Sequence, residues 1–329
     1  MAKRETLLLT QKDIQQLFTM RDCLRVVEGT FRSHGRGYVQ MPAKSYLYIP
    51  QYQGDFRSMP AFVEDLGAAG IKWVNVHPNN PQKGLPTVMA MIILGDVKTG
   101  FPLCVMDGTH LTNLRTGAAG AVAAKYLARK NSKTVALIGS GRQAVTQLEA
   151  LRLLFKIKQV SVWSKDRSSD ERFMRHFKGA LFQVRRASHP AACVKGADIV
   201  TTITPSRRPI IQYKWLSPGT HINAIGADAK GKEEIMPQVL KRAKVVIDDW
   251  EQASHSGEIN VPFSRGQLTR RDIHATLGEV ITQQKKGRSN SREITVFDST
   301  GLSIQDIACA HTVYRLALKQ GKGTFKRFF

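Results

Sequence analysis

Apolar positions in the first hundred residues alternate between helical and strand spacing. LLLTQKDIQQLF opens with an apolar run that meets Thr10, with Asp13 three residues on. That spacing predicts a helix N-cap at Thr10 and an apolar face of Ile14, Leu17 and Phe18. A second amphipathic segment covers 20–31. Residues 43–49 (AKSYLYI), 71–76 (IKWVNV) and 88–94 read as strands, the first two ended by Pro and Asn turns. This mixed unit is expected to end near Gly100-Phe101-Pro102.

An Ala-rich helix over 112–129 follows, whose small side chains allow close packing and which reads as a connector. From Lys133 the pattern changes to short apolar runs separated by helical segments: VALI, a glycine turn, a helix carrying Ala144, Leu148, Leu151 and Phe155, then VSVWS, 197–204, 219–226 and 243–249. Strands and helices in this order imply a mostly parallel sheet covered on both faces, so the fold class is α/β. The tail, 303–322, has apolar residues at helical spacing and is a candidate to pack back on the first domain.

Gly139-Ser140-Gly141-Arg142-Gln143-Ala144 has the dinucleotide form G-x-G-x-x-A. Gly139 serves the turn, Gly141 the approach of a pyrophosphate, and Ala144 the contact of helix with sheet. The pyrophosphate is expected at the helix N-terminus, where free N–H groups favour an anion. At the end of the next strand, Ser164, Lys165 and Arg167 stand where an NAD-binding carboxylate usually does. This favours NADP(H), with NAD(H) kept open by Asp166, which a small shift would bring to the ribose.

Basic residues beside the early strands, Lys44, Arg57 and Lys72, and Arg115 ahead of the Ala-rich helix, are candidates to bind a carboxylate and polarise a carbonyl or imine. Asp228 follows INAIG, at the strand end where open α/β sheets place their ligands. It is a candidate proton carrier, with a helix-capping role as the alternative. His77 reads as catalytic or loop-ordering. His255, Glu258 and Asp249 lack a second histidine to complete a zinc set, so no metal is expected.

Composition adds one unusual number. In 329 residues, 49 Lys and Arg against 26 Asp and Glu give a net charge of +23. Such a field attracts polyanions without naming a specific partner. Local clusters occur at Lys285, Lys286 and Arg288 and at Arg270-Arg271, but no zinc-finger or basic-zipper pattern accompanies them, so neither specific nucleic-acid binding nor a membrane role is expected. Four scattered cysteines and the absence of a signal or membrane segment make the cytoplasm the expected location.

Taken in order, MPAK (41–44), RSMPA (57–61), GIKWVNVHPNNP (70–81), KGLPTVMAMIIL (83–94), LTNLRTGAAG (111–120), GSGRQA, TTITPS (201–206), HINAIGAD (221–228) and FDSTGLSIQD (297–306) make the sequence resemble the ornithine cyclodeaminase and mu-crystallin family over its whole length. Within it, the archaeal-type alanine dehydrogenase branch is the most similar. The resemblance implies a substrate-binding and dimerisation domain (1–125, joined by the returning helix 303–329), a Rossmann domain (126–302), and a homodimer.

It also implies Lys72 and Asp228 as catalytic, Lys44, Arg57, Lys72 and Arg115 as substrate-binding, and Thr87, Arg115, Thr116, Gly139, Ser140, Gly141, Gln143, Ala144, Ser164, Lys165, Arg167, Thr202 and Asp228 as cofactor-binding. One departure is informative. Where ornithine cyclodeaminases carry a glutamate ahead of Met-Pro, this chain has Arg57, which repels a substrate's distal ammonium. The implied activity is therefore reversible NAD(P)-dependent deamination of L-alanine or a similar small amino acid. Ketimine reduction, cyclodeamination and a nonenzymatic binding role are successively weaker alternatives.

Overall fold

Strand alternation and two capped helices build the first unit. The computed structural model describes residues 5–328, and the chain divides into two units, Met1–Arg115 with Leu302–Phe329, and Thr116–Gly301. The first contains β1 (Thr6–Leu9), α1 (Gln11–Leu17), α2 (Met20–Gly35), β2 (Val39–Gln40), β3 (Ser45–Ile49), β4 (Gly54–Val63), β5 (Ala68–Val76), β6 (Val88–Gly95) and β7 (Pro102–Asp107), and leads into α3 (Thr109–Leu127). Thr10 caps α1 as its spacing predicts, in a reciprocal box with Asp13, and Thr19 with Asp22 does the same for α2.

β4, like β2 and β7, is not revealed by the apolar pattern, and Pro60 lies inside it. The sheet tolerates this proline for a visible reason. β3 pairs with residues 54–58 of β4 and β2 with 62–63, so Pro60 lies opposite the gap between them, where that side of the strand has no partner to lose. β4 and β5 run antiparallel, with Met59 opposite Lys72 and Arg57 opposite Val74. These four residues therefore share one face of the sheet.

The second unit holds β8 (Thr134–Ile138), α4 (Arg142–Leu154), β9 (Gln159–Trp163), α5 (Arg167–His176), β10 (Gln183–Arg186), α6 (Pro190–Val194), β11 (Ile199–Thr202), β12 (Arg207–Ile211), β13 (His221–Ala224), β14 (Glu233–Ile235), α7 (Pro237–Arg242), β15 (Lys244–Ile247), α8 (Trp250–Ser256), α9 (Asn260–Ser264), β16 (Ile273–Thr276), α10 (Leu277–Ile281) and β17 (Thr295–Asp298). Its main sheet has the order β10-β9-β8-β11-β13-β17-β15-β16, and every pair is parallel. The strand order reverses beside β8, the switch point where such sheets bind ligands. Val135, Leu137, Val200, Ile222 and Val296 are fully or almost fully buried, as the short apolar runs require.

The Ala-rich stretch is α3, and the division between units falls within it, between Arg115 and Thr116, ahead of residue 125. Its glycines face α4: a Cβ on Gly117 would lie 2.5 Å from the Thr146 carbonyl oxygen, and one on Gly120 would lie 2.2 Å from Gln147 Oε1. The chain then returns to the first unit as α11 (Ser303–Gln320) and β18 (Thr324–Lys326). β18 pairs with β1, giving the sheet order β18-β1-β7-β6-β5-β4-β2, with β3 also on β4. α11 buries Ile304, Ile307, Ala308 and Val313 against this sheet and α2. No helix among the described residues is long and apolar enough to cross a membrane.

Candidate active site

Lys72 is placed by strand alternation. Gly70, Lys72 and Val74 lie on one face of β5, and that face meets α11, with the Ile307 side chain 3.1 Å from where a Cβ on Gly70 would stand. Lys72 is 1% exposed, and its Nζ donates to Asp306 Oδ2 at 2.6 Å. Arg115 Nε donates to the other oxygen of the same carboxylate at 3.0 Å. Thus two cations share one fully buried acid in the first turn of α11, where the helix N-terminus also favours negative charge. Burial, then the charge of Arg115, pushes the Lys72 pKa down to about 7; Asp306 opposes this and Lys44 adds to it.

Arg57 is 5% exposed on the same sheet face. Its Nε and one terminal nitrogen donate to the two oxygens of Asp55 at 2.7 and 3.2 Å, and its guanidinium lies 5.2 Å from the Tyr46 ring centre. The fork is therefore fixed in direction. Lys44, half-buried, precedes β3, and Thr87 precedes β6, where its carbonyl accepts the His77 amide. His77 orders its loop: it meets Asn75 Nδ2 at 3.0 Å and occupies space that a Cβ on Gly54 would enter at 2.4 Å.

In the second unit the glycine turn fits a dinucleotide. Gly139 has φ 114°, and a Cβ there would lie 2.6 Å from the Ile203 carbonyl oxygen. Gly141 begins α4 with no side chain capping the helix, and a Cβ there would meet nothing within 4 Å, which leaves room for a phosphate to approach the amides. Ala144 is fully buried, and Gln143 stands in the first turn with its carbonyl accepting the Thr146 hydroxyl. The Thr116 carbonyl accepts from Gln147 Nε2 at 2.8 Å, and Thr202 is buried at the end of β11.

Beyond β9, Ser140 Oγ lies 3.0 Å from Ser164 Oγ, which in turn lies 2.7 Å from the fully buried Asp170. Lys165 and Arg167 are exposed, Arg167 pairing with Glu171 at 2.9 Å. Asp166 caps α5. It accepts from Ser169 and Ser168, bonds that hold its pKa down at about 2. Asp228 lies in the turn after β13, half-buried, with Oδ1 2.5 Å from Lys232 Nζ; no helix follows it, so it caps none. The neighbouring His221 and Asn223 are structural. His221 bonds Asn223 and Thr295, and Asn223 donates to the Gly120 carbonyl.

His255 is exposed on α8, Asp249 caps that helix, and Glu258 is buried beyond it. Asp306, Asp55 and Asp170 carry the candidate cations and Ser164, yet none was singled out from sequence. A signal for Asp306 existed: an acid inside SIQDIACA, on the face of a helix whose other residues are apolar.

The family model described as ornithine cyclodeaminase/mu-crystallin family matches residues 4–321. An alanine dehydrogenase of Archaeoglobus fulgidus is 50% identical over 327 residues, covering 99% of both chains. An archaeal alanine dehydrogenase dimer with bound NAD superposes with a TM-score of 0.95 at 49% identity, over 99% of this chain and 100% of the other. The Thermococcus litoralis Delta(1)-pyrroline-2-carboxylate reductase, in complex with NADH and L-proline, has a TM-score of 0.94 at 36% identity, over 97% and 99%. Sequence motifs, the paired sheets and these full-length matches agree: the chain belongs to the ornithine cyclodeaminase/mu-crystallin family.

Proposed function

We propose that the protein is an alanine dehydrogenase-like oxidoreductase, interconverting L-alanine or a similar small L-amino acid with its 2-oxo acid and ammonium. The observation that carries this reading is the cationic character of one sheet face together with the first turns of α3: Lys72 of β5 and Arg115 of α3 on Asp306, with Arg57 of β4 fixed by Asp55. Such a face attracts the carboxylate of a small amino or oxo acid and repels a distal ammonium, which disfavours cyclisation of a diamino acid.

Lys72 and Arg115 orient the substrate carboxylate and neutralise charge at the reacting carbon. A nicotinamide dinucleotide held at the Gly139–Ala144 turn would supply the acceptor for the α-hydrogen as hydride, once the substrate ammonium has lost a proton to solvent. Asp228 takes the proton of the water that adds to the imino acid, and ammonium then leaves; reductive amination runs the reverse. L-Alanine should therefore reduce the dinucleotide with one ammonium released per turnover. Ammonium release without net reduction would mark a cyclodeaminase instead. A second reading, reduction of a cyclic imine, is favoured by the likeness to the pyrroline-2-carboxylate reductase.

NADP(H) is the preferred cofactor in this proposal. Lys165 and Arg167 are exposed at the end of β9, Arg167 pairing with Glu171, and would supply two cations to a 2′-phosphate, while the ionised Asp166 carboxylate is held at the start of α5 by Ser168 and Ser169. The NAD held by the archaeal relative supports the other choice. Replacing both Lys165 and Arg167 with Ala is expected to weaken NADPH about tenfold, or ~1.4 kcal/mol, and NADH less than twofold. Equal losses in binding titrations would remove the 2′-phosphate role.

A homodimer is also proposed. The face of the first sheet opposite Lys72 exposes Trp73 (45%), Met91 (54%), Ile93 (41%) and Leu47 (55%). Trp73 stands directly opposite Met91 and stacks on Phe56, so these residues form one continuous apolar surface. Sedimentation at several concentrations should find dimers, and Trp73→Glu should shift them to monomers; a wild-type monomer would exclude the assembly.

A further inference from the structure

Three buried carboxylates of the second unit form a chain in which each holds the backbone of the segment that bears the next. Asp298, at the end of β17, accepts the amides of Glu258 at 2.8 Å and Ile259 at 3.1 Å. Glu258 Oε1 accepts the amides of Glu234 at 2.8 Å and Ile235 at 2.6 Å. Glu234 on β14 then accepts the amide and hydroxyl of Thr204 at 2.6 and 2.7 Å and the Gly226 amide at 2.9 Å. All three acids are fully buried.

The last link clamps two turns that follow the parallel strands β11 and β13. A Cβ on Gly226 would lie 2.3 Å from the Thr204 carbonyl oxygen and 2.5 Å from Glu234 Oε2, so glycine is required for the turns to meet. Gly226 stands two residues before Asp228. We propose that Glu234 is a positioning residue, which fixes the Gly226–Asp228 turn against Thr204 and so sets the direction of the Asp228 carboxylate, with Glu258 and Asp298 holding Glu234 in place.

This rests on the reading of Asp228 as proton carrier. Its chemistry distinguishes the links. Three donors converge on Glu234, which only a carboxylate satisfies with acceptors alone. Glu258 instead uses one oxygen for both amides, and its Oε2 has no hydrogen-bond partner among the described residues. Burial, then the charges of Glu234 and Asp298, pushes the Glu258 pKa well up, and burial raises that of Glu234 to about 7 against the bonds from Thr204 and Gly226. A carboxamide at Glu258 keeps the one oxygen that both amides use, whereas at Glu234 both oxygens accept, so a carboxamide there turns an NH2 toward a donor.

The experiment compares Glu234→Gln, Glu258→Gln and Thr204→Val in the full-length protein, in whichever of amino-acid oxidation or imine reduction the wild type catalyses. Glu234→Gln is expected to lower kcat at least 30-fold with the Kd for NADH, read by fluorescence, within threefold. Glu258→Gln should keep kcat within threefold of wild type. Thr204→Val, which removes a single donor, should lower kcat about fivefold, and it decides the matter if Glu234→Gln does not fold. In an Asp228→Asn background, adding Glu234→Gln should cost less than threefold more.

Wild-type kcat in both Glu234→Gln and Thr204→Val, or a Kd that changes in parallel with kcat, or full multiplication of the losses in the Asp228→Asn background, would overturn the proposal. An Asp228→Asn enzyme as fast as wild type would instead overturn the role of Asp228 itself.

Discussion

Asp306→Ala is expected to destabilise the protein by about 3–5 kcal/mol and to abolish measurable turnover, because it leaves two buried cations without their shared acid. Lys72 Nζ and Arg115 Nε lie 2.6 and 3.0 Å from the two oxygens of this carboxylate, and no surface rearrangement replaces it at full burial. The loss should depend on pH. The folded-state pKa of Lys72 is already lowered to about 7, against about 10.4 in an unfolded chain. Its contribution to stability therefore improves as pH rises through that window, where the unfolded chain binds the extra proton. Without Asp306 the folded pKa falls further. The deficit of the variant, measured by denaturant unfolding, should then be larger at pH 6 than at pH 9; an equal deficit at both would separate Lys72 from Asp306.

Asp228→Asn should lower turnover by about 10²–10³-fold, the size of effect expected when a positioned proton acceptor is lost, while the dinucleotide Kd changes less than threefold. The substitution keeps the size of the side chain and removes its charge, so Lys232, 2.5 Å away, loses an ion partner near the surface and not in the core. Stability should change by less than ~1 kcal/mol. Turnover equal to wild type would remove Asp228 from the chemistry.

What could be read from the sequence follows the range of the interactions involved. The middle of the parallel sheet of the second unit was legible because β8, β9, β11, β13 and β15 are short, largely buried runs, whereas the mostly exposed QVRR of β10 and the IHAT of β16 carry no such pattern; the glycine turn fits between β8 and α4 with Gly139 at a positive φ. The Thr10 cap was legible because its partner is three residues away. β4 was not, since Pro60 speaks against a strand unless the gap between β2 and β3 is known.

The site divides in the same way. Lys72, Arg57 and Arg115 drew attention as basic residues beside strands, but the acid that joins Lys72 to Arg115 lies 234 residues from Lys72 in sequence, a distance no periodicity spans. Asp55 is only two residues from Arg57, and reading β4 as a strand would have placed them on one face. Asp166 stood as a possible ribose ligand; its place immediately ahead of Arg-Ser-Ser, a helix start, explains why it caps α5.

Reductive amination tests the proposed activity most directly. Purified protein would be given pyruvate, ammonium and either NADPH or NADH, with nicotinamide absorbance followed against controls lacking ammonium or supplying a cyclic imine in place of pyruvate. The expected result is ammonium-dependent oxidation of the reduced dinucleotide with alanine as product, faster with NADPH. Oxidation by the cyclic imine with no turnover of pyruvate and ammonium would contradict it and assign the cationic site to imine reduction.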